Sequence, residues 1–378
     1  MVYDNEVARM QSESQIQMKL WRYVDTKENR ARLYSFYRGV YPDLPWLLND
    51  KRFEWQTFGN PLKESDGTEI WLLLDEQGEI IGQNIYILYN LTIDGQLCRG
   101  YCSTNMILKP SLVGKGLGHK FIELNESRAG IAYAVGITPA SARAFQKYDW
   151  VLIENARLYN LPLRPIPNLR YIGMPSWKQT IAAPILSAAS IFFRTKSSLL
   201  ATKRLEGLRF REIYAFDQDW DRRWQECLRN FAIYFQRTSN VLNYKFFSRQ
   251  DVKHTCLLFE AGGIPVGYAV YRLSENPLRG IRLGRIVDLV YEPNYGQALL
   301  EYMLYQVKVR LWEFQVDGLV GIAANNEIAK AYRANGFFLS RVQPAIIKPK
   351  GFELNQLRKR FNHLWYITLA DSDLDNYW

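Results

Sequence analysis

The stretch Met106–Glu123, MILKPSLVGKGLGHKFIE, holds the residues best suited to chemistry. An apolar run of Met106, Ile107 and Leu108 stops at Lys109-Pro110. Gly114, Gly116 and Gly118 then recur at every second position, and Phe121 and Ile122 open an apolar helical face. The pattern predicts a strand, a glycine loop and a helix. Glycine lets the backbone take positive φ and lets a ligand come close. Free N–H groups at a helix start attract negative charge, helped by the helix dipole. The combination predicts a main-chain phosphate cradle over Val113, Gly114, Lys115, Gly116, Leu117 and Gly118, with His119 beside the phosphate. The loop is not a P-loop, because no Gly-Lys-Ser/Thr closes it. Nor is it the dinucleotide fingerprint, since its spacing is GxGxG and no acidic residue ends a second strand at the required distance. The glycines by themselves fit a tight turn equally well. A second candidate is Asp288, whose place inside the apolar run IVDLV makes a cleft-facing acid the expectation.

The glycine stretch resembles motif A of the GNAT acyltransferase superfamily, R/Q-x-x-G-x-G/A, which binds the pyrophosphate of acyl-coenzyme A. Val113 stands where the family usually has Arg or Gln, which removes one side-chain contact and leaves the main-chain cradle intact. The resemblance implies that the strand Asn105–Leu108, with Met106, Ile107 and Leu108, pairs by main chain with the pantetheine arm. It also implies that this strand splays from the next, Ala132–Gly136, with the thioester in the gap. A main-chain N–H near Ile107 would polarise the thioester carbonyl. Proximity of amine and thioester would supply much of the rate. A carboxylate or water chain would take the amine's proton. The family often places a tyrosine in the following helix to neutralise the thiolate. Here Phe145 fills that position, Tyr332 fills it in the second half, and Tyr148 lies nearly a turn away.

The run HLWYITLADSDLDNYW carries an apolar strand, His363–Leu369, into Asp371, Ser372, Asp373 and Asp375. It resembles the Trp-x-x-Thr-Leu-x-Asp-Ser-Asp ending of tandem GNAT proteins found with bacterial polysaccharide biosynthesis. That resemblance implies an amine acceptor such as an amino sugar, and the positive charge also suits a nucleotide-linked sugar. Carboxylates at a strand end beside an acceptor groove could bind the amine and take its proton, so Asp371 and Asp373 are candidate bases, and Asp288 is another. A solvated acidic tail accounts for the same carboxylates. The expected activity is N-acyl transfer from acetyl-coenzyme A or another acyl-coenzyme A. Two rivals stand beside it: an aminoacyl transferase using aminoacyl-tRNA, against which the glycines argue, and a non-catalytic protein docked on membranes.

Such a site must be held by a sizeable fold. The chain has 378 residues, enough for two domains, and 48% of them are hydrophobic, as in packed globular proteins. Its net charge of +10 suits an anionic ligand. No dense basic block or zinc-finger spacing appears, so nucleic acid is not expected. Four cysteines without a CxxC pair and three histidines offer no zinc set, and no metal is expected. Reduced thiols, a polar start unlike a signal peptide, and no apolar run of about 18 residues point to a cytoplasmic protein.

The coarse order is helix, antiparallel strands, then β-α-β-α-β, which is the GNAT order. Fold class is therefore mixed α/β (α+β), as two fused modules, each a mostly antiparallel sheet flanked by helices. Strands are expected over Ile70–Leu74, Ile80–Tyr89, Leu97–Leu108, Ile131–Ile137 and Val151–Tyr159. Trp55 is expected to anchor a core. The second half repeats the first: Asp75, Gly78 and Gly82 match Glu260, Gly263 and Gly267, Pro110 matches Pro293, and Ala144–Val151 matches Ala331–Phe338. After Pro293 only Gly296 remains, so the second copy lacks the cradle and is assigned to the acceptor side. The expected domains are 1–165, binding acyl-coenzyme A, a linker over 166–210, and 211–378. The prolines at 162, 165 and 167 predict a stiff extended passage. Residues 180–204, apolar then basic, read either as a connector helix or as a peripheral membrane contact.

Overall fold

The computed structural model describes residues 18–42, 45–63, 68–128, 130–154, 156–171, 173–185, 207–276, 280–351 and 365–371. In the first half lie β1 (Lys19–Arg22), α1 (Lys27–Val40), α2 (Asp50–Phe58), β2 (Ile70–Leu74), β3 (Ile80–Ile93), β4 (Gln96–Leu108), α3 (His119–Arg128), β5 (Ile131–Val135), α4 (Pro139–Gln146), β6 (Val151–Ile153) and β7 (Arg157–Pro162). The second half carries β8 (Leu208–Ile213), β9 (Ile233–Phe235), α5 (Ser239–Phe246), β10 (His254–Ala261), β11 (Ile264–Asn276), β12 (Ile281–Tyr291), α6 (Gly296–Glu313), β13 (Gly318–Ala323), α7 (Asn326–Ala334), β14 (Phe338–Val342), β15 (Ala345–Pro349) and β16 (Trp365–Tyr366).

Local chemistry sets the ends of these elements. Thr26, Asn49, Thr138 and Asn325 each cap a helix by accepting an N–H from the residue three positions on. The β2–β3 turn closes on Asp75, whose side chain accepts from the Gln77 and Glu79 N–H groups, and on Gly78 at φ +77°. The proline passage is not extended throughout: Pro165–Tyr171 is helical. Prolines 165 and 167 occupy its first turn, where no intrahelical N–H is lost. Asn168 fixes this helix by donating to the Asp317 carbonyl. Residues 176–185 form a further helix with Trp177, Ile181 and Ile185 exposed; residues 186–204 of the apolar-basic segment lie outside the described residues.

Two sheets form among the described residues. The first runs β1-β2-β3-β4-β5-β15-β6, with β9 beside β3 and β16 beside β9. The second runs β14-β7-β13-β12-β11-β10-β8. Pairing is antiparallel except β4–β5, β12–β13 and β9–β16. β4–β5 and β12–β13 match in register: Gly100↔Ile131 through Cys102↔Tyr133 in the first, Leu283↔Gly318 through Arg285↔Val320 in the second. Val151–Tyr159 is not one strand. The chain breaks after β6 and crosses, so that β7 inserts between β13 and β14 of the second sheet. Conversely β15 inserts between β5 and β6 of the first. Each sheet thus takes a strand from the other half, and the proposed segment boundaries at 165 and 210 do not coincide with the sheets.

The halves also meet reciprocally at α2 and α5. Trp55 stacks on Tyr244 with ring centroids 4.9 Å apart, its indole N–H donates to the Tyr244 carbonyl, and the Tyr244 hydroxyl donates back to the Trp55 carbonyl. Such mutual exchange is the mark of an isologous, two-fold-like interface. Alternation along β3–β5 sorts the first sheet's side chains. Tyr86, Leu88, Tyr101, Ala132 and Ala134 face α3 and α4, whereas Ile87, Tyr89, Cys102, Tyr133 and Val135 face Phe235, Trp365 and Ile367 from the second half.

Candidate functional site

β4 and β5 pair for three residues and then part beyond Cys102 and Tyr133. The cause lies in β4. Its pairing with β3 skips between Gln83↔Ile107 and Ile85↔Thr104, so Asn105 and Met106 oppose Asn84 alone. Asn105 takes φ +52°, a conformation Asn tolerates better than most residues. Two residues against one make a β-bulge, which bends the strand. Gln83, fully buried, pins the bend: its amide donates to the Asn105 carbonyl at 3.1 Å and accepts from the Tyr37 hydroxyl at 2.6 Å. Desolvation holds Tyr37 well above its ordinary pKa, so it stays a donor.

A cleft of about 270 Å³ opens where the strands part. Ser103–Ile107 form one wall, and Ala134–Thr138, Ser141 and Phe145 the other. Tyr41, Trp46 and Leu47 cover it, with the Arg52 guanidinium 4.1 Å from the Trp46 ring. No carboxylate lines it among the described residues. The expected residues Met106 and Ile107 are on the wall, whereas Leu108 turns to the core around Leu73, Ile81 and Phe121.

β4 leads directly to the glycine loop. Gly114 and Gly116 take φ of +86° and +79°, and a Cβ on either meets no atom within 4 Å. Leu117 is buried against Leu73, Ile81 and Phe121, anchoring an otherwise exposed loop. The N–H groups of Gly114, Gly116, Leu117 and Gly118 make no hydrogen bond among the described residues. Val113 is 66% exposed and Lys115 is exposed. The His119 imidazole Nδ1 contacts the Gly116 carbonyl and so braces the loop. These unpaired N–H groups lie just before the start of α3, the arrangement that a main-chain anion nest requires. A second cavity of about 550 Å³ flanks the strand end, between Arg32 and Phe36 of α1 and Lys109–Ser111.

The second copy parts its strands in the same way, with a register skip between Val270 and Tyr271 opposite β12. The gap there is filled. Asp288, at the position of Asn105 when Pro293 is set on Pro110, is bound by Arg237 Nε at 2.9 Å, Tyr268 at 2.7 Å and Thr368 at 2.9 Å. Asp371 receives Arg237 Nη2 at 2.7 Å and its own segment's Thr368 N–H at 2.9 Å. Lys245 approaches Asp371 at 3.6 Å and donates to the Ala370 carbonyl. Burial opposes charge on Arg237, yet Asp288 and Asp371 outweigh it and hold the guanidinium well above its ordinary value. Lys245 is pushed down to about 8, chiefly by burial. The structure thus joins the expected carboxylates Asp288 and Asp371 on one buried arginine, away from the cleft walls. Asp373 lies outside the described residues. The loop is also gone: β12 ends at Tyr291 and α6 starts at Gly296, where β4 and α3 are separated by residues 109–118.

The Phe145–Tyr332 difference has a steric counterpart. Tyr332 is buried and stacked on Tyr159, and its hydroxyl occupies the space beside Gly321, where a Cβ would overlap it. The residue matching Gly321 is Ala134, which shares a core cluster and the cleft wall with Phe145. Tyrosine goes with glycine in one copy, and phenylalanine with alanine in the other.

No family profile matches the sequence, and no curated protein matches it by sequence. Solved structures do. The Saccharomyces cerevisiae N-myristoyltransferase with bound myristoyl-CoA aligns at TM-score 0.59 and 12% identity, over 93% of this chain and 89% of that one. A GCN5-related N-acetyltransferase from Anabaena variabilis aligns at 0.55 and 12%, over 88% and 73%. A probable N-acyltransferase from Enterococcus faecalis aligns at 0.54 and 10%, over 88% and 72%. The chain carries the GNAT fold twice. Within that fold β4 and β5 part beside Met106 and Ile107, as the resemblance implied, and the glycine loop follows the end of β4. Sequence reasoning missed the cleft hydroxyls Ser103, Thr104, Thr138 and Ser141, the cover Tyr41–Trp46–Leu47 and the brace Gln83, none of which sits in a recognisable pattern. It also missed Arg237, which no local signal marks.

Proposed function

We propose that this chain is an N-acyltransferase that moves an acyl group from coenzyme A to an amine. One observation carries the reading: β4 supplies both the wall of a cleft between parted strands and, a turn later, an unsatisfied main-chain nest. In this reading the diphosphate rests on Val113–Gly118, the pantetheine arm runs along Asn105–Leu108, and the thioester lies beside Met106 and Ile107. A main-chain N–H at the bulge polarises its carbonyl, and the cover holds the reacting groups together. The fold neighbours include an N-myristoyltransferase crystallised with myristoyl-CoA, which supports the thioester as donor.

The acceptor is proposed only as an amine. An amino sugar rests on the C-terminal ending, and there Trp365, Thr368, Leu369 and Asp371 are buried core and counter-ion residues. Asp373 is the carboxylate candidate left for an external base. Among the described residues no helix is long and apolar enough to cross a membrane. Calorimetric titration with acetyl-coenzyme A and with myristoyl-coenzyme A tests the donor. Saturable binding of either, followed by thiol release with a panel of primary amines, is expected. Absence of binding by both overturns the reading.

A further inference from the structure

The cleft has no carboxylate on its walls among the described residues, and Phe145 brings no hydroxyl to it. Acyl transfer to an amine still has to move one proton from nitrogen to sulfur. Ser141 is the group placed for this. It lies one helical turn before Phe145 on α4, so the two share a face, and both line the cleft. Its Oγ is 3.0 Å from Thr138 Oγ1, and its N–H donates to that same oxygen at 3.2 Å. If the Thr138 hydroxyl donates to Ser141 Oγ, the Ser141 proton is left to point into the cleft. The first turn of α4 opens on the same cleft, where its dipole favours the negative charge that develops on sulfur.

Building on the acyl-coenzyme A reading above, we infer that Ser141, steadied by Thr138, hydrogen-bonds the coenzyme A sulfur and relays to it the proton that the amine loses. The neutral amine's lone pair forms the C–N bond, and the carbonyl π pair moves to oxygen. On collapse the oxygen pair reforms C=O, and the C–S bond breaks with its pair on sulfur. The nitrogen proton passes to Ser141 Oγ while the Ser141 proton passes to sulfur. Amide and thiol leave, and Ser141 is restored. No separate acid is consumed, which fits a site with Phe145 in place of a tyrosine.

The test uses coenzyme A itself, so it needs no knowledge of the acceptor. The thiolate ultraviolet absorbance of bound coenzyme A is followed against pH. In the unaltered protein the bound thiol is expected to ionise about one to two pH units lower than free coenzyme A, the effect of one hydrogen bond to a charged group. Ser141→Ala should remove that shift, and Ser141→Thr should keep most of it. The alanine variant retains the N–H that Thr138 accepts, so the helix cap survives. Desulfo-coenzyme A, which lacks the sulfur, should bind both proteins alike and so reports an intact site. If coenzyme A binds and Ser141→Ala leaves the thiol ionisation unchanged, the inference is overturned while the donor reading stands. If the unaltered protein binds neither compound, the donor reading falls and takes the inference with it.

Discussion

Substituting Gly116 probes the nest without touching a core. The residue has φ +79°, and a Cβ there meets no atom within 4 Å. Gly116→Ala therefore carries left-handed backbone strain and no clash, about 1 kcal/mol. For a chain of this size that is a melting shift of about 1 °C. The ligand feels far more. In the proposed reading the diphosphate sits in the open space over Gly116, beside the N–H groups of Leu117 and Gly118. A methyl there forfeits up to two charge-assisted hydrogen bonds at about 1.5–3 kcal/mol each, or roughly two to four orders of magnitude in affinity. Gly116→Asp adds repulsion of about 3 kcal/mol per phosphate charge at about 5 Å and an effective dielectric of 20. Salt reduces this at an exposed loop, but binding should still vanish. Melting curves and calorimetric titration with acetyl-coenzyme A on the three proteins decide the matter. If both variants melt slightly lower yet bind like the unaltered protein, the space above the glycine is empty in the complex and the nest is not the diphosphate site.

Phe145→Tyr should cost about 1–3 kcal/mol, because Ala134 carries a methyl at the position where Gly321 makes room for the Tyr332 hydroxyl, and adding Ala134→Gly should recover most of it in a denaturant double-mutant cycle. Additive effects would show that the Phe145–Ala134 pair is not the counterpart of Tyr332–Gly321. Arg237→Met strands two buried carboxylates and should lower the urea-unfolding free energy by about 3–5 kcal/mol. A loss below about 1 kcal/mol would mean the carboxylates are not held as the structure has them. Lys245 is pushed from an ordinary 10.5 to about 8 by burial, so between those values the unfolded chain keeps a proton that the folded chain has released. Stability should therefore rise from pH 8 towards 10, by up to about 3 kcal/mol, with no change from this group below that window. The rise should be absent in Lys245→Met, and equal slopes in the two proteins would rule out the buried amine as its source.

What the sequence disclosed was local. Three glycines after an apolar run mark a loop because few other residues take positive φ, and the Asp75–Gly78 turn repeats at Glu260–Gly263 for the same reason. Ala144–Val151 and Ala331–Phe338 match because α4 and α7 bury the same face, each against the equivalent strands of its own sheet. What stayed hidden depends on pairing across long distances. Nothing in Val151–Tyr159 says that its two ends belong to different sheets, since alternation fixes a face and not a partner. Asp288 and Asp371 looked like chemistry, since an acid in an apolar run suggests a cleft. Their partner Arg237 is remote in sequence from both. The small hydroxyls of the cleft have no signature at all, because serine and threonine are common at helix starts for capping alone.

The exchange of β7 and β15 gives the chain the geometry of a strand-swapped homodimer whose partners are covalently joined. In a true homodimer every substitution is made twice, so neither site can be altered while the other is kept. Fusion lifts that constraint. One half could trade its pocket for a buried ionic plug and become a wall, while the other kept an open groove beneath it. A single gene thus gains the asymmetry that a symmetric pair is denied.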